Sequence, residues 1–83
     1  MAELIQTYAE KLRDGCGVEY TPRAYGEARD DGTWEGWLEF EPASGGAAMR
    51  TGRETTQPDR AALAYWASGL EFAFLEGALW RAS

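Results

Sequence analysis

The sequence predicts an α+β domain: an N-terminal helix, a three-stranded antiparallel meander and a C-terminal helical region. Three observations carry that expectation. The apolar spacing changes from four to two after Gly15 and Gly17. Two turn signals, Asp30-Asp31-Gly32 and Pro42-Ala43-Ser44-Gly45-Gly46, divide the alternating stretch into strands. A helix-start pattern, Thr56-Gln57-Pro58-Asp59, then opens an alanine-rich apolar run. At 83 residues the chain is a single domain, residues 1–83.

The first element is a helix from Ala2 to Asp14. Leu4, Tyr8 and Leu12 fall at i, i+4 and i+8, and Ile5 widens the stripe. Glu3 near its start and Lys11 and Arg13 near its end suit the helix dipole, and Gly15 and Gly17 stop it. Val18 to Arg29 then alternates as a strand, with Pro22 placing it at an edge or a bulge. Asp30 to Gly32 forms a three-residue hairpin loop with Gly32 left-handed. That loop sets the register: Ala28 faces Trp34, Gly26 faces Gly36, Ala24 faces Leu38 and Pro22 faces Phe40 on the core side. On the other side Tyr25 meets Trp37, Arg23 meets Glu39, and Glu27 meets Glu35 unfavourably. Ala47, Met49 and Thr51 point inward from the third strand. The next helix starts with Thr56 as N-cap and Asp59 reaching back to it. From there two continuations are open. One helix runs to Trp80, or the chain breaks near Gly69 and Leu70 to Leu75 form a short fourth strand.

Composition excludes several chemistries. Eight Lys and Arg stand against 14 Asp and Glu, a net charge of −6. That balance disfavours nucleic acid and anionic membranes, because phosphate surfaces need clustered cations. There is no His, so imidazole catalysis is impossible within one chain. One Cys allows no intramolecular disulfide and no zinc site of its own. No apolar stretch is long enough to cross a membrane, and Met1 to Tyr8 lacks the order of a signal peptide. The expectation is a cytoplasmic, non-catalytic protein with no metal and no cofactor.

Each apparent motif has a bland reading. Asp30-Asp31-Gly32 lacks the spaced oxygens and final Glu of a calcium loop, so it is a turn. Thr51 to Thr56 precedes a helix N-terminus, but Asp59 would repel an anion there. Glu35, Glu39 and Glu41 line a solvated strand face with arginines beside them. Cys16 has no activating base. The aromatic side chains are harder to dismiss. Tyr25 and Trp37 point outward, with Arg50 alongside for a cation–π contact. The segment from Ala61 is apolar around more than one face: Leu63, Trp66, Leu70, Phe74, Gly77 and Trp80 make one stripe, and Tyr65, Phe72 and Leu79 fall outside it.

Three meander strands, a capped helix and a short strand resemble the HicB antitoxin-type partial RNase H fold. The likeness lies in Asp31-Gly32-Thr33-Trp34, the Gly45-Gly46 turn and Thr55-Thr56, across about residues 18–76. It implies a toxin-binding subunit without the DNA-binding segment those proteins usually carry. The order α-β-β-β-α also resembles a double-stranded RNA-binding domain, but its basic helix-start motif is missing. The resulting expectation is an interaction module that binds itself as a homodimer, or another protein. Its candidate contacts are Tyr25, Trp37, Arg50, Trp66 and Trp80. The alternative is single-stranded nucleic-acid binding through Tyr25, Trp37 and Arg50.

Overall fold

A computed structural model describes residues 1–83. The chain runs β1 (Glu3–Thr7), β2 (Leu12–Arg13), β3 (Glu19–Ala28), β4 (Trp34–Pro42), β5 (Met49–Arg50), β6 (Thr55–Gln57), α1 (Arg60–Ser68) and α2 (Phe72–Arg81). All six strands belong to one antiparallel sheet. The long hairpin β3–β4 is its centre. β1 and β2 flank β3, and β5 and β6 flank β4. The two helices cover one face of the sheet.

The hairpin has the register that its loop and side chains predict. Ala28 pairs with Trp34, Gly26 with Gly36, Ala24 with Leu38, Pro22 with Phe40 and Tyr25 with Trp37. Gly32 has φ +88, and the Arg29 amide donates to the Thr33 carbonyl at 2.7 Å. Gly26 and Gly36 are glycines because Leu63 of α1 lies on them. A Cβ on Gly26 would overlap Leu63 Cδ2, and one on Gly36 would sit 2.6 Å from Leu63 Cδ1.

The N-terminal helix expected over Ala2–Asp14 does not form; that segment is β1 and β2. Positions 4, 8 and 12 are all even, so the helical spacing of Leu4, Tyr8 and Leu12 fits a strand equally well. The free edge of β3 decides between the two. β1 pairs Glu3 with Gly26, Leu4 with Tyr25, Gln6 with Ala24 and Thr7 with Arg23, with a bulge between Leu4 and Gln6. β2 pairs Leu12 with Tyr20 and Arg13 with Glu19. Pro22 therefore lies in a central strand and not at an edge, opposite the gap between β1 and β2. Its carbonyl accepts the Tyr8 amide at 3.1 Å, so its missing N–H falls on that same interrupted side.

The third meander strand is also corrected. It is split into β5 and β6, and buried Thr51 stands between them. Thr51 donates its amide to the Leu38 carbonyl at 2.9 Å, and its hydroxyl accepts the Leu38 amide at 3.1 Å. No short fourth strand follows α1. Gly69 caps α1, and Leu70 to Leu75 lead into α2. The α1 N-cap is Asp59, whose carboxylate accepts the Ala62 amide at 2.8 Å, whereas Thr56 belongs to β6. The core between helices and sheet includes Tyr8, Leu12, Tyr20, Ala24, Leu38, Phe40, Ala67, Leu75, Ala78 and Leu79.

Candidate interaction surfaces

No helix covers the second face of the sheet, and there the predicted aromatic group assembles. Tyr25 and Trp37 stack with centroids 6.4 Å apart and planes 16° from parallel. The Arg50 guanidinium lies 4.5 Å from the Trp37 ring centre. Trp37 Nε1 donates to Glu39 at 3.0 Å. Arg50 is held from below: its amide and carbonyl exchange hydrogen bonds with the carbonyl and amide of Ser83, each 3.2 Å. The outcome is a closed stack. Trp37 is only 2% exposed although it points away from the helices. The surrounding charges pair among themselves, Arg23 with Glu41 at 2.7 Å and Arg29 with Glu35 at 3.1 Å.

The other two candidate residues lie elsewhere. Trp66 is half-buried in α1 and packs against the core under the sheet. Its ring edge would come within 3.3 Å of a Cβ on Gly36. Trp80, in the last turn of α2, is 75% exposed. The structure therefore joins Tyr25, Trp37 and Arg50, and separates them from Trp66 and from Trp80.

The sequence stripe already set Phe74 and Gly77 beside Trp80; the outward direction of that side is what it missed. Phe72 and Phe74 are also exposed, at 40% and 39%, and Tyr65 of α1 is exposed. Once the helix is broken at Gly69, α2 has its own wheel. Leu75, Ala78 and Leu79 face the core. Ala73, Phe74, Gly77, Trp80 and Arg81 share the opposite side, within an arc of about 120° at 100° per residue. Arg81 crosses part of that side. Its guanidinium lies 5.7 Å from the Phe74 ring centre and donates to Glu54 at 2.6 Å.

The remaining features are structural. A shallow depression of about 390 Å³ at the hairpin tip is lined by Glu27, Ala28, Arg29, Asp30, Asp31 and Glu35. Glu27 and Glu35 oppose each other across the hairpin but take different cations, the Met1 ammonium at 2.8 Å and Arg29 at 3.1 Å. The Thr33 hydroxyl and amide hold Asp31 below the usual carboxylate range. No group of three or more potential ligands is placed to hold a metal ion. Asp14 closes the β2–β3 turn by accepting the amides of Cys16 and Val18 at 2.9 and 3.0 Å. The Val18 amide is the main cause of its lowered pKa. No helix is long and apolar enough to cross a membrane. No family model, curated protein or solved structure matches the chain.

Proposed function

We propose that the chain is a non-catalytic protein-interaction module of a reducing cytoplasm, and that the outer side of α2 meets its partner. The observation that carries this is Trp80, 75% exposed in a well-formed helix. An indole left in water loses the burial that usually accounts for its presence, and Trp is the residue most enriched at interface hot spots. Phe74 extends the same apolar surface. The partner is a second copy of the chain or another protein. The HicB-type likeness would make that other protein a toxin. It needs a strand at Leu70–Leu75, where this chain enters α2, so the proposal rests on Trp80 and not on that likeness.

The nucleic-acid alternative is weaker on geometry. Stacking a base requires a free aromatic face. Trp37 is 2% exposed, and Arg50 already occupies its ring. Site-specific cross-linking in the producing cells tests the module reading. A photo-reactive phenylalanine replacing Trp80 is expected to give one discrete protein adduct. The same group replacing Thr21, on the open sheet face, is expected to give none. Equal labelling at both positions, or none at Trp80, would sink the proposal.

A further inference from the structure

We infer that α2 is a strap that keeps the Tyr25–Trp37 stack shut: through Ser83 it holds Arg50 on Trp37, and its release opens the ring to water. In an antiparallel sheet the N–H and C=O of one residue point to the same side. Those of Arg50 turn away from β4 and exchange bonds with Ser83, each 3.2 Å. Ser83 is thus a further rung of the sheet outside β5. Ala82, extended at φ −76 and ψ 153, carries the chain from α2 onto that edge. Little else fixes Arg50. Its strand is two residues long and follows the exposed residues 43–48. The fixed point is the next residue, Thr51, whose amide and hydroxyl bond the Leu38 carbonyl and amide. The Arg50 guanidinium takes part in no ion pair. Glu39, opposite it across the ladder, accepts the Trp37 indole instead.

Arg50 therefore has its main chain on one element and its side chain on another. The guanidinium covers Trp37, 4.5 Å from the ring centre, while Tyr25 stands beside the ring at 6.4 Å. A cation–π contact at an exposed site is weak, too weak to keep hold of a side chain whose backbone has moved. The 2% exposure of Trp37 thus depends on the Ser83 clasp. A second fastening lies at the same end of α2, where Arg81 donates to Glu54 at 2.6 Å and the Glu54 side chain is only 12% exposed. At the other end, beside the break at Gly69, no side chain caps the helix. Leu75, Ala78 and Leu79 hold the length between to the core. One end uncapped at a joint and the other end clasped make α2 a hinged strap. Undocking it takes Ser83 away, frees Arg50 and uncovers Trp37 across the sheet. The linkage is reciprocal: whatever occupies the opened ring loosens α2, and whatever holds α2 down keeps the ring closed. This holds whatever meets Trp80.

Solvent exchange of the Trp37 Nε1 proton, followed by NMR on the full chain, tests this. Ser83→Pro deletes the amide that bonds the Arg50 carbonyl and leaves α2 fastened through Arg81 and Glu54. Exchange at Trp37 is expected to speed up about tenfold, on the scale of one or two lost hydrogen bonds. The Leu38 amide, bonded to Thr51, is expected to keep its protection. Glu54→Gln weakens the other fastening and is expected to give a smaller rise at Trp37. Arg50→Ala removes the cover itself and is expected to give the largest rise. The Ser83 amide should stay protected in that variant, because its bond is to main chain. An unchanged Trp37 rate in Ser83→Pro overturns the inference, since Arg50 then stays on the ring without the strap. Equal acceleration at Leu38 and Trp37 in both Ser83→Pro and Glu54→Gln also overturns it, because the sheet then opens as a whole.

Discussion

The Tyr8 hydroxyl donates to the Ala67 carbonyl at 2.6 Å, with both groups buried. That bond ties the end of β1 to the last turn of α1 and fixes the helix on the sheet. Burial pushes the phenol up to about 12 from its ordinary 10.0. An unfolded tyrosine sheds its proton near 10.0, before the folded one does. Stability is thus complete below that pH and falls as pH rises towards 12. Tyr8→Phe keeps the ring and removes the hydroxyl. The Ala67 carbonyl still accepts the Leu70 amide at 3.4 Å. The expected loss at neutral pH is about 1 kcal/mol. Denaturant melts near pH 9 and near pH 11.5 check the rest: the alkaline loss should be smaller in the variant. Tyr20, also raised by burial and by its bond to Asp14, keeps that loss from vanishing. At this scale the Tyr25–Trp37 pair and its neighbour Arg50 were legible in the sequence, because hairpin register dictates cross-strand partners. The burial of Trp37 was not. It depends on how Arg50 folds over the ring, and alternation specifies a face, not an exposure.

Elements were legible where the chain's own turns define them. The β3–β4 hairpin follows from Asp30-Asp31-Gly32, since a shift of one residue would set apolar against polar throughout. Elements defined by partners far along the chain were not. The spacing of Leu4, Tyr8 and Leu12 is ambiguous between periods, and only the unpaired edge of β3 makes the segment a strand. Similarly, the break at Gly69 lets Ala67 of α1, and Leu75, Ala78 and Leu79 of α2, reach one core, while Leu63 of α1 packs on Gly26 and Gly36. On one continuous helix the same five residues would spread over an arc of about 160°, wider than an ordinary buried stripe. The start of α1 offers a test between sequence pattern and geometry. Thr56 fits a capping box on paper, yet it lies in β6, and Asp59 caps the helix through the Ala62 amide. Asp59→Ala is expected to lower unfolding free energy by about 1 kcal/mol, within the range of lost N-caps. Thr56→Ala, at an exposed strand position, should change it by less than about 0.5 kcal/mol. Chemical denaturation of the two variants side by side decides; equal losses would restore Thr56 as the cap.

The whole molecule exposes 4945 Å², close to the roughly 4,900 Å² typical of a monomer of 9.2 kDa. It carries no excess surface, so what distinguishes it is which side chains form that surface. The sheet's open face is charged and paired, with its one indole closed off. The helical face ends in an indole that is open. Both lie on a molecule of charge −6. Salt therefore acts in opposite directions on the two uses this surface could have. Association of like-charged copies through apolar contact is opposed by long-range repulsion, which salt screens within a Debye length of about 8 Å at 0.15 M. Binding to a nucleic acid would instead release counterions and weaken as salt rises. Sedimentation from about 0.02 to about 0.3 M salt should accordingly show tighter self-association at the upper end. Fluorescence anisotropy of a labelled single-stranded oligonucleotide, run through the same series, should show no binding even at the lowest salt. Self-association that weakens with salt would mean that ion pairs, not apolar contact at Trp80, hold the copies together.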